Sequence, residues 1–394
     1  MKIGIDAHMV GRRATGNETY VVNLARALAR VDDGNNDYTL YVDPQAAAGP
    51  PLVPDARFRQ RQLRPRTPLV RIPVTLPLEV GRRPVDVLHL QYNLPPFLPR
   101  CARVLTVHDI SYEHFPECFR LRERLRNKLW VRASARRAEV VIAVSEYTKQ
   151  DLVKTYGISP ERIVVTLEAA DRAFCPPRSR AQTDEVCRRY EIDGPYVLYV
   201  GNIQPRKNLK RLIQAYGQLI AAGEMKHRLV IVGQKAWLYS DVFEEARRSG
   251  LSQQIIFTGY VPQEDLRHLY ARAGAFVFPS LFEGFGLPVL EAMACGAPVI
   301  TSRTSSLPEV AGEAALYVDP YRVDELANAL QRLTHDEELR ARLSACGRKQ
   351  AARFSWEETA RRTLQAYEQA YTAVACKTRP GRFGKNRSTK EARS

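Results

Sequence analysis

Several features that commonly announce a function are missing from this chain of 394 residues. No run of about eighteen apolar residues occurs, so no segment reads as a membrane-spanning helix. The opening residues, MKIGIDAHMV, read as a first strand and not as a secretory leader, and the expected location is therefore the cytoplasm. The seven cysteines are odd in number and form no Cys-x-x-Cys pair, which excludes a cysteine metal knuckle and fits reduced thiols. No Asp-x-Asp is present, which removes one common means of holding a divalent ion with a diphosphate. Neither half carries Gly-x-Gly-x-x-Gly with a later acidic residue, which speaks against a dinucleotide-dependent oxidoreductase.

What is present begins with charge. The net charge of +16 would suit a nucleic-acid partner, but its distribution does not. Residues 1–190 carry +10, residues 191–376 are neutral, and the tail from Lys377 supplies +6. A neutral second half without a recognised base-reading motif argues against nucleic acid as a partner.

Length and pattern imply more than one domain. Residues 1–170 alternate short apolar runs near 5, 40, 87, 105 and 142 with helical segments at about 17–30, 121–137 and 146–156. The alternation predicts a mostly parallel sheet covered on both faces. After a weakly patterned linker it starts again at YVLYVGN, with strands expected near 228–232, 255–258, 275–278, 298–301 and 315–318. The expected division is 1–180, 190–355, a last helix over 356–376, and a disordered basic tail over 377–394.

Within the first half, Gly11–Gly16 (GRRATG) imitates a phosphate-binding loop, but Asn17 and Glu18 replace the Lys-Ser/Thr ending that a nucleoside triphosphatase needs. A loop approaching a ligand and an ordinary tight turn both remain open there. The proline-rich stretch Pro50–Pro84 holds Arg57, Arg59, Arg61, Arg64, Arg66, Arg71, Arg82 and Arg83, and is expected to form a solvated, partly mobile surface. In Leu121–Arg137 an apolar stripe of Leu121, Leu125, Leu129 and Trp130 or Ala133 is expected to be buried, with arginines on the other faces. Two basic surfaces in one domain make an anionic membrane surface a candidate partner. His108 ends a strand in TVHDIS, at the sheet edge where open parallel sheets hold ligands.

In the second half, GNIQPRKN puts Arg206 and Lys207 just after Gly201 and Asn202, where a helix begins. Cations oppose the helix dipole at that end, so the pair makes sense if an anion sits between them. Gly233 closes the next strand and is expected to line the same edge. The stretch Phe278–Ser302, FPSLFEGFGLPVLEAMACGAPVITS, has the order strand, glycine loop, helix, strand. Its loop presents the amides of Phe285, Gly286 and Leu287 at a helix start, where an anion is welcome. Glu283 in the loop and Glu291 one turn into the helix can both look into one crevice.

Together with FTGYVPQEDL and SSLPEVAG, these motifs resemble the retaining family 4 glycosyltransferases of GT-B fold, mannosyl- and rhamnosyltransferases of polysaccharide or glycolipid assembly among them, and the resemblance extends from MKIGIDA to about residue 375. It implies an α/β protein of two Rossmann-like domains facing across a cleft, with the C-terminal helix crossing back to the N-terminal domain. The N-terminal domain would hold a glycan or lipid-linked acceptor and the C-terminal domain a nucleotide-sugar donor. Arg206 and Lys207 would bind the donor diphosphate, with Gly16 and the Gly201–Asn202 turn close to it. Glu283 and the amides of Phe285, Gly286 and Leu287 would hold the sugar and phosphate, and Glu291 the ribose. His108 would contact the transferring sugar, and Tyr260 and Val261 complete the donor site. Two departures stand out: Gly-Asn replaces the Gly-Arg of many members at 201–202, and Glu168–Asp171 (EAAD) replaces Asn-Gly-Val-Asp, which puts the interdomain contact there in doubt.

The expected reaction is retaining transfer of a hexosyl unit, first choice mannose from GDP-mannose, with no metal or other cofactor and with catalytic contributions from His108, Glu283, Arg206 and Lys207. A GT-B epimerase or hydrolase acting on the sugar nucleotide is the alternative. The expected place is the cytoplasm, on or near the inner face of the cell membrane.

Overall fold

In a computed structural model the described residues are 1–11, 15–44, 51–65, 67–234, 236 and 239–377. The expected disordered tail beyond Lys377, Arg66, and the middle of the Gly11–Gly16 loop lie outside them.

The first sheet contains β1 (Lys2–Ala7), β2 (Asp37–Val42), β3 (Phe58–Gln62), β4 (Val87–Gln91), β5 (Ala102–Val107), β6 (Val140–Ala143) and β7 (Ile163–Val165), in the order β3-β2-β1-β4-β5-β6-β7. The second contains β8 (Tyr196–Val200), β9 (Arg228–Val232), β10 (Ile255–Gly259), β11 (Ala275–Phe278), β12 (Val299–Ser302) and β13 (Ala315–Val318), in the order β10-β9-β8-β11-β12-β13. Among the described residues every strand pairing is parallel. Strands such as β8 (YVLYV) and β6 (VVIA) are buried along their whole length because helices cover both sheet faces. The order reverses between β1 and β4 and again between β8 and β11. These are the two switch points outside which such sheets bind ligands.

Pro50–Pro84 departs from its expectation. It contributes the edge strand β3, paired to β2, and helical turns from Pro68 to Arg82. Arg71 is buried within them, and after His8 it helps hold the Asp6 carboxyl down against the effect of burial.

Two apolar clusters cover the first sheet. One packs Leu88, Leu105 and Val141 against Leu76 and Val131 from flanking helices. The other includes Ile3, Tyr20 and Val104, continues through Ala360 and Tyr367, and reaches Leu198 and Phe276 of the second domain. Ala360 and Tyr367 belong to the helix Trp356–Lys377, which crosses back onto the first domain against the helix Thr15–Val31 and strands β5 and β6. Ala360, Thr363, Tyr367 and Ala370 recur at helical spacing and are fully buried, three of them small enough for a close approach. The Tyr367 hydroxyl meets His89 Nδ1 at 2.8 Å, and His89 Nε2 meets Thr106 Oγ1 at 2.7 Å. Burial pushes His89 down to about 3, so this bridge is built with a neutral imidazole. Among the described residues no helix is long and apolar enough to cross a membrane.

Candidate functional site in the interdomain cleft

The site starts from two short sequence signals at the β8/β11 switch point. After β8 the chain turns at Gly201, and Gly233 at the end of β9 packs behind it. A side-chain carbon on Gly233 would sit 1.9 Å from the Gly201 carbonyl oxygen, so only glycine permits that approach. Gly233 does not line the cavity, contrary to the sequence expectation; it supports the turn that does.

Next comes a single 3₁₀ turn, Pro205–Lys207, that brings both cations inward. Asn208 ends it in the left-handed conformation (φ 61°), and its side-chain Nδ2 donates to the carbonyls of Pro279 (3.1 Å) and Pro320 (2.7 Å). The turn is thus tied to the loop after β11. That loop carries Glu283, whose carboxylate meets Lys207 Nζ at 2.6 Å and Arg206 Nη1 at 3.2 Å. Arg206 also donates to the Phe282 carbonyl, and Lys207 lies 4.9 Å from the centre of the Phe278 ring. Arg206 and Lys207 are therefore not a solvated surface pair.

Burial alone would raise the Glu283 carboxyl, but Arg206 and Lys207 outweigh it and hold it down at about 2. Burial likewise pulls the Lys207 ammonium down, against the pull of Glu283. Two cations share one carboxylate, and Asp109 of the facing domain is the other acid that acts on both. Arg206 Nε is buried without a hydrogen-bond partner among the described residues. The cluster can accept a further anion.

The glycine loop is held from behind by Ser305 and Ser306. Ser305 Oγ accepts from the Glu283 amide (2.9 Å), and Ser306 Oγ lies 3.0 Å from the Glu283 carbonyl and 2.7 Å from that of Phe285. Gly286, with φ 118°, opens the helix Leu287–Ala294, whose first amides have no partner within the helix. Glu291, one turn in, accepts from the Tyr270 hydroxyl at 3.0 Å. Its carboxyl is pushed up to about 7, by burial first and then by Asp171 and Glu168 on the facing domain, against the hydrogen bond from Tyr270.

The first domain contributes the ends of β4 and β5. His108 follows β5 and is buried, with Nδ1 3.2 Å from Glu168 Oε1 and Nε2 2.9 Å from Gln91 Oε1. Tyr20 meets the ring edge-on at 4.8 Å. The domains touch close by: the Ser145 hydroxyl, which caps the helix Glu146–Tyr156, lies 2.6 Å from the Gly284 carbonyl. In the other direction Glu309 accepts from the amides of Glu146 (2.9 Å) and Tyr147 (3.2 Å) at the start of that helix, where a carboxylate is favoured. Phe282 fills the join between His114, Phe115 and Tyr147.

Between the halves lies a cavity of about 560 Å³. Gly16, His108, Gly201, Asn202, Arg206, Lys207, Tyr260, Val261, Glu283, Phe285, Gly286, Leu287 and Glu291 all line it. Sequence reasoning did not name Gln91, Tyr92 or Asp109, and met Asp171 only as the end of the EAAD departure. Tyr92, Asp109 and Asp171 line the cavity and Gln91 bonds to His108. The strand-end rule that singled out His108 applies equally to Gln91 and Tyr92 at the end of β4. Glu168 was seen only as a departure from a motif. In place it is the partner of His108, and the segment still faces the cleft through Asp171.

Two doubly wound domains facing each other across such a cavity are the architecture of the GT-B class of glycosyltransferases. A family model described as "Glycosyltransferase Family 4" matches residues 14–174, and one described as "Glycosyl transferases group 1" matches residues 188–350. The O-antigen chain mannosyltransferase B of Escherichia coli is 37% identical over 279 residues, covering 70% of this chain and 72% of that protein. The serotype-specific mannosyltransferase WbdA of Escherichia coli is 33% identical over 249 residues, 62% of this chain but 30% of that longer protein. Among solved structures, a sucrose-phosphate synthase from Thermosynechococcus elongatus superposes with a TM-score of 0.76 at 23% identity, over 95% of this chain and 100% of that one. The chain belongs to glycosyltransferase family 4.

Proposed function

We propose that this glycosyltransferase moves a mannosyl unit from GDP-mannose, with retention of configuration and without a metal, to a glycan or lipid-linked acceptor held by the N-terminal domain. The observation that carries the reading is the buried Arg206–Glu283–Lys207 cluster beside the helix start at Gly286. Breaking a sugar–phosphate bond builds charge on the departing diphosphate, and donors fixed at that place lower the barrier more than they stabilise the ground state. Arg206 suits phosphate geometry, Lys207 adds a point charge, and the amides of Gly286 and Leu287 add the helix dipole. Glu291 receives the ribose hydroxyls and His108 contacts the transferring sugar.

Glu283 has the wrong surroundings for a covalent nucleophile. Two cations already occupy its carboxylate, and a carboxyl held near 2 is a weak base. Its role is to orient sugar hydroxyls, while the acceptor attacks from the face the diphosphate leaves and gives its proton to the leaving phosphate. The choice of mannose rests on the mannosyltransferases among the relatives.

A thermal-shift panel tests the donor. GDP should stabilise the protein more than UDP, dTDP or ADP at equal concentration, since the shift follows the logarithm of ligand concentration over dissociation constant. Equal shifts for all four would remove the case for GDP-mannose. NMR of the product tests retention, and a mannosyl adduct on Glu283 in the mass spectrum would overturn the positioning role.

A further inference from the structure

The apolar stripe of the helix Leu121–Arg137 does not face the protein. Leu121 is 64% exposed and Leu129 67%, with Leu125 and Trp130 also exposed, whereas the residues the helix buries are Val131, Ser134 and Ala135, all in its second half. The expectation of a buried stripe is therefore corrected. The second half is docked by the Ser134 hydroxyl, which accepts from the Leu94 amide at 2.9 Å, and by Arg137, which donates to the carbonyls of Pro95 and Pro96. The first half carries its leucines outward.

This surface continues into two neighbours. The loop that accepts from Arg137 bears Phe97, which is 82% exposed. The same loop reaches the helix Leu76–Arg82, where Pro99 lies 3.7 Å from the position of a side-chain carbon on Gly81. That helix and the turns before it bury Leu76 and Val80 in the same core cluster as Val131 and Ala135, and expose Leu69, Val74 and Leu78. Three segments of one domain, joined through the Arg137–Pro95/Pro96 and Pro99–Gly81 contacts, thus present large apolar side chains. Arg82, Arg100, Arg122 and Arg126 are exposed among them. Leu121 is followed by Arg122, Leu125 by Arg126, and Leu129 by Trp130.

We propose that this face seats the N-terminal domain on an anionic lipid bilayer, with Phe97, Leu121, Leu125 and Leu129 entering the headgroup boundary and the adjacent arginines meeting lipid phosphates. A water-facing stripe of this size disfavours a protein that stays in bulk solvent. Leucine and arginine alternating along one exposed helix edge match the depth and charge of an anionic interface, where basic stems lie along the apolar layer and their heads reach the phosphates. The proposal is independent of the donor and of the reaction, so its failure would leave the transferase reading intact.

The test uses the full chain and vesicles of phosphatidylcholine with or without phosphatidylglycerol. The protein should co-sediment with the mixed vesicles and remain in the supernatant with phosphatidylcholine alone. The combined variant Leu121→Ser, Leu125→Ser and Leu129→Ser should lose vesicle binding yet keep wild-type turnover on a water-soluble acceptor, which also shows that it is folded. Arg122→Ala with Arg126→Ala should weaken binding about thirtyfold at low salt, from about 1 kcal/mol per basic side chain. Trp130 fluorescence should shift to the blue with mixed vesicles, and Trp130→Phe should lack that component. Unchanged vesicle binding by the triple-serine variant would overturn the proposal. So would no binding by the wild type, or a wild-type dimer in sedimentation equilibrium that the triple-serine variant dissociates, which would assign the face to a second copy of the chain.

Discussion

A methyl group on Gly284 would sit 1.7 Å from the carbonyl oxygen of His108, so the glycine loop of one domain lies with bare backbone against a strand end of the other. The hydroxyls of Ser145 and Thr148 meet the Gly284 carbonyl at 2.6 and 3.1 Å and hold the contact. Glycine is needed here for space between domains, since Gly284 is not among the positive-φ glycines. Gly284→Ala should push the domains apart without unfolding either. The expected result is a fall in kcat/KM of about a hundredfold, the usual cost of displacing reacting groups by about 1 Å. Small-angle scattering should show a larger radius of gyration, and circular dichroism an unchanged spectrum.

Glu283 stands between Arg206 and Lys207 and neutralises part of their charge. Glu283→Gln leaves both cations buried without a carboxylate and should lower the stability of the free protein by about 3–5 kcal/mol in urea unfolding. GDP should then stabilise the variant more than it does the wild type. The pH dependence follows from the depressed carboxyl. With a folded value of about 2 and an ordinary one of 4.5, the unfolded chain binds the proton first as pH falls. The stability Glu283 contributes is complete above about 4.5 and is lost as pH drops through about 2. The glutamine variant should lack that loss.

How much of this was legible in the sequence depends on whether a signal is local. The strand β8, YVLYV, is apolar throughout because both of its faces are covered, and such runs were read correctly. The strand β3, FRQRQ, sits at a sheet edge and is polar at most positions, while β7 has three residues; neither rises above a loop by pattern alone. In the site, Arg206, Lys207, Glu283 and Glu291 were visible because loop and helix start are written contiguously. That the two cations clamp Glu283 was not, since Lys207 and Glu283 are 76 residues apart. The 121–137 helix shows a third limit. Periodicity reveals that Leu121, Leu125 and Leu129 share a face, but not whether that face meets protein or water.

Glu291 supplies a pH dependence of opposite sign. Its carboxyl, raised from 4.5 to about 7 by burial and the facing acids, costs stability as pH rises through about 7. Ribose hydroxyls donate to the ionised form and so favour it. Affinity for GDP should therefore tighten by about tenfold between about pH 6 and about pH 8, following the ionised fraction. Titration calorimetry measures it, with Glu291→Gln as the control that subtracts the nucleotide's own titration. A slope identical in the variant would remove Glu291 from the ribose site.

Glu168 meets the ring of His108, the residue proposed to contact the transferring sugar. Glu168 Oε1 lies 3.2 Å from His108 Nδ1 and Gln91 Oε1 lies 2.9 Å from Nε2, so the two side chains hold the ring between them. Glu168→Ala should lower kcat by about tenfold to a hundredfold, the worth of a hydrogen bond to a charged group, and change the KM for GDP-mannose little. Glu168→Gln keeps a carbonyl at the same place and should recover part of the loss, which a purely structural role for Glu168 would not require. If both variants instead raise KM with kcat intact, Glu168 belongs to donor binding and His108 is positioned by Gln91 and Tyr20 alone.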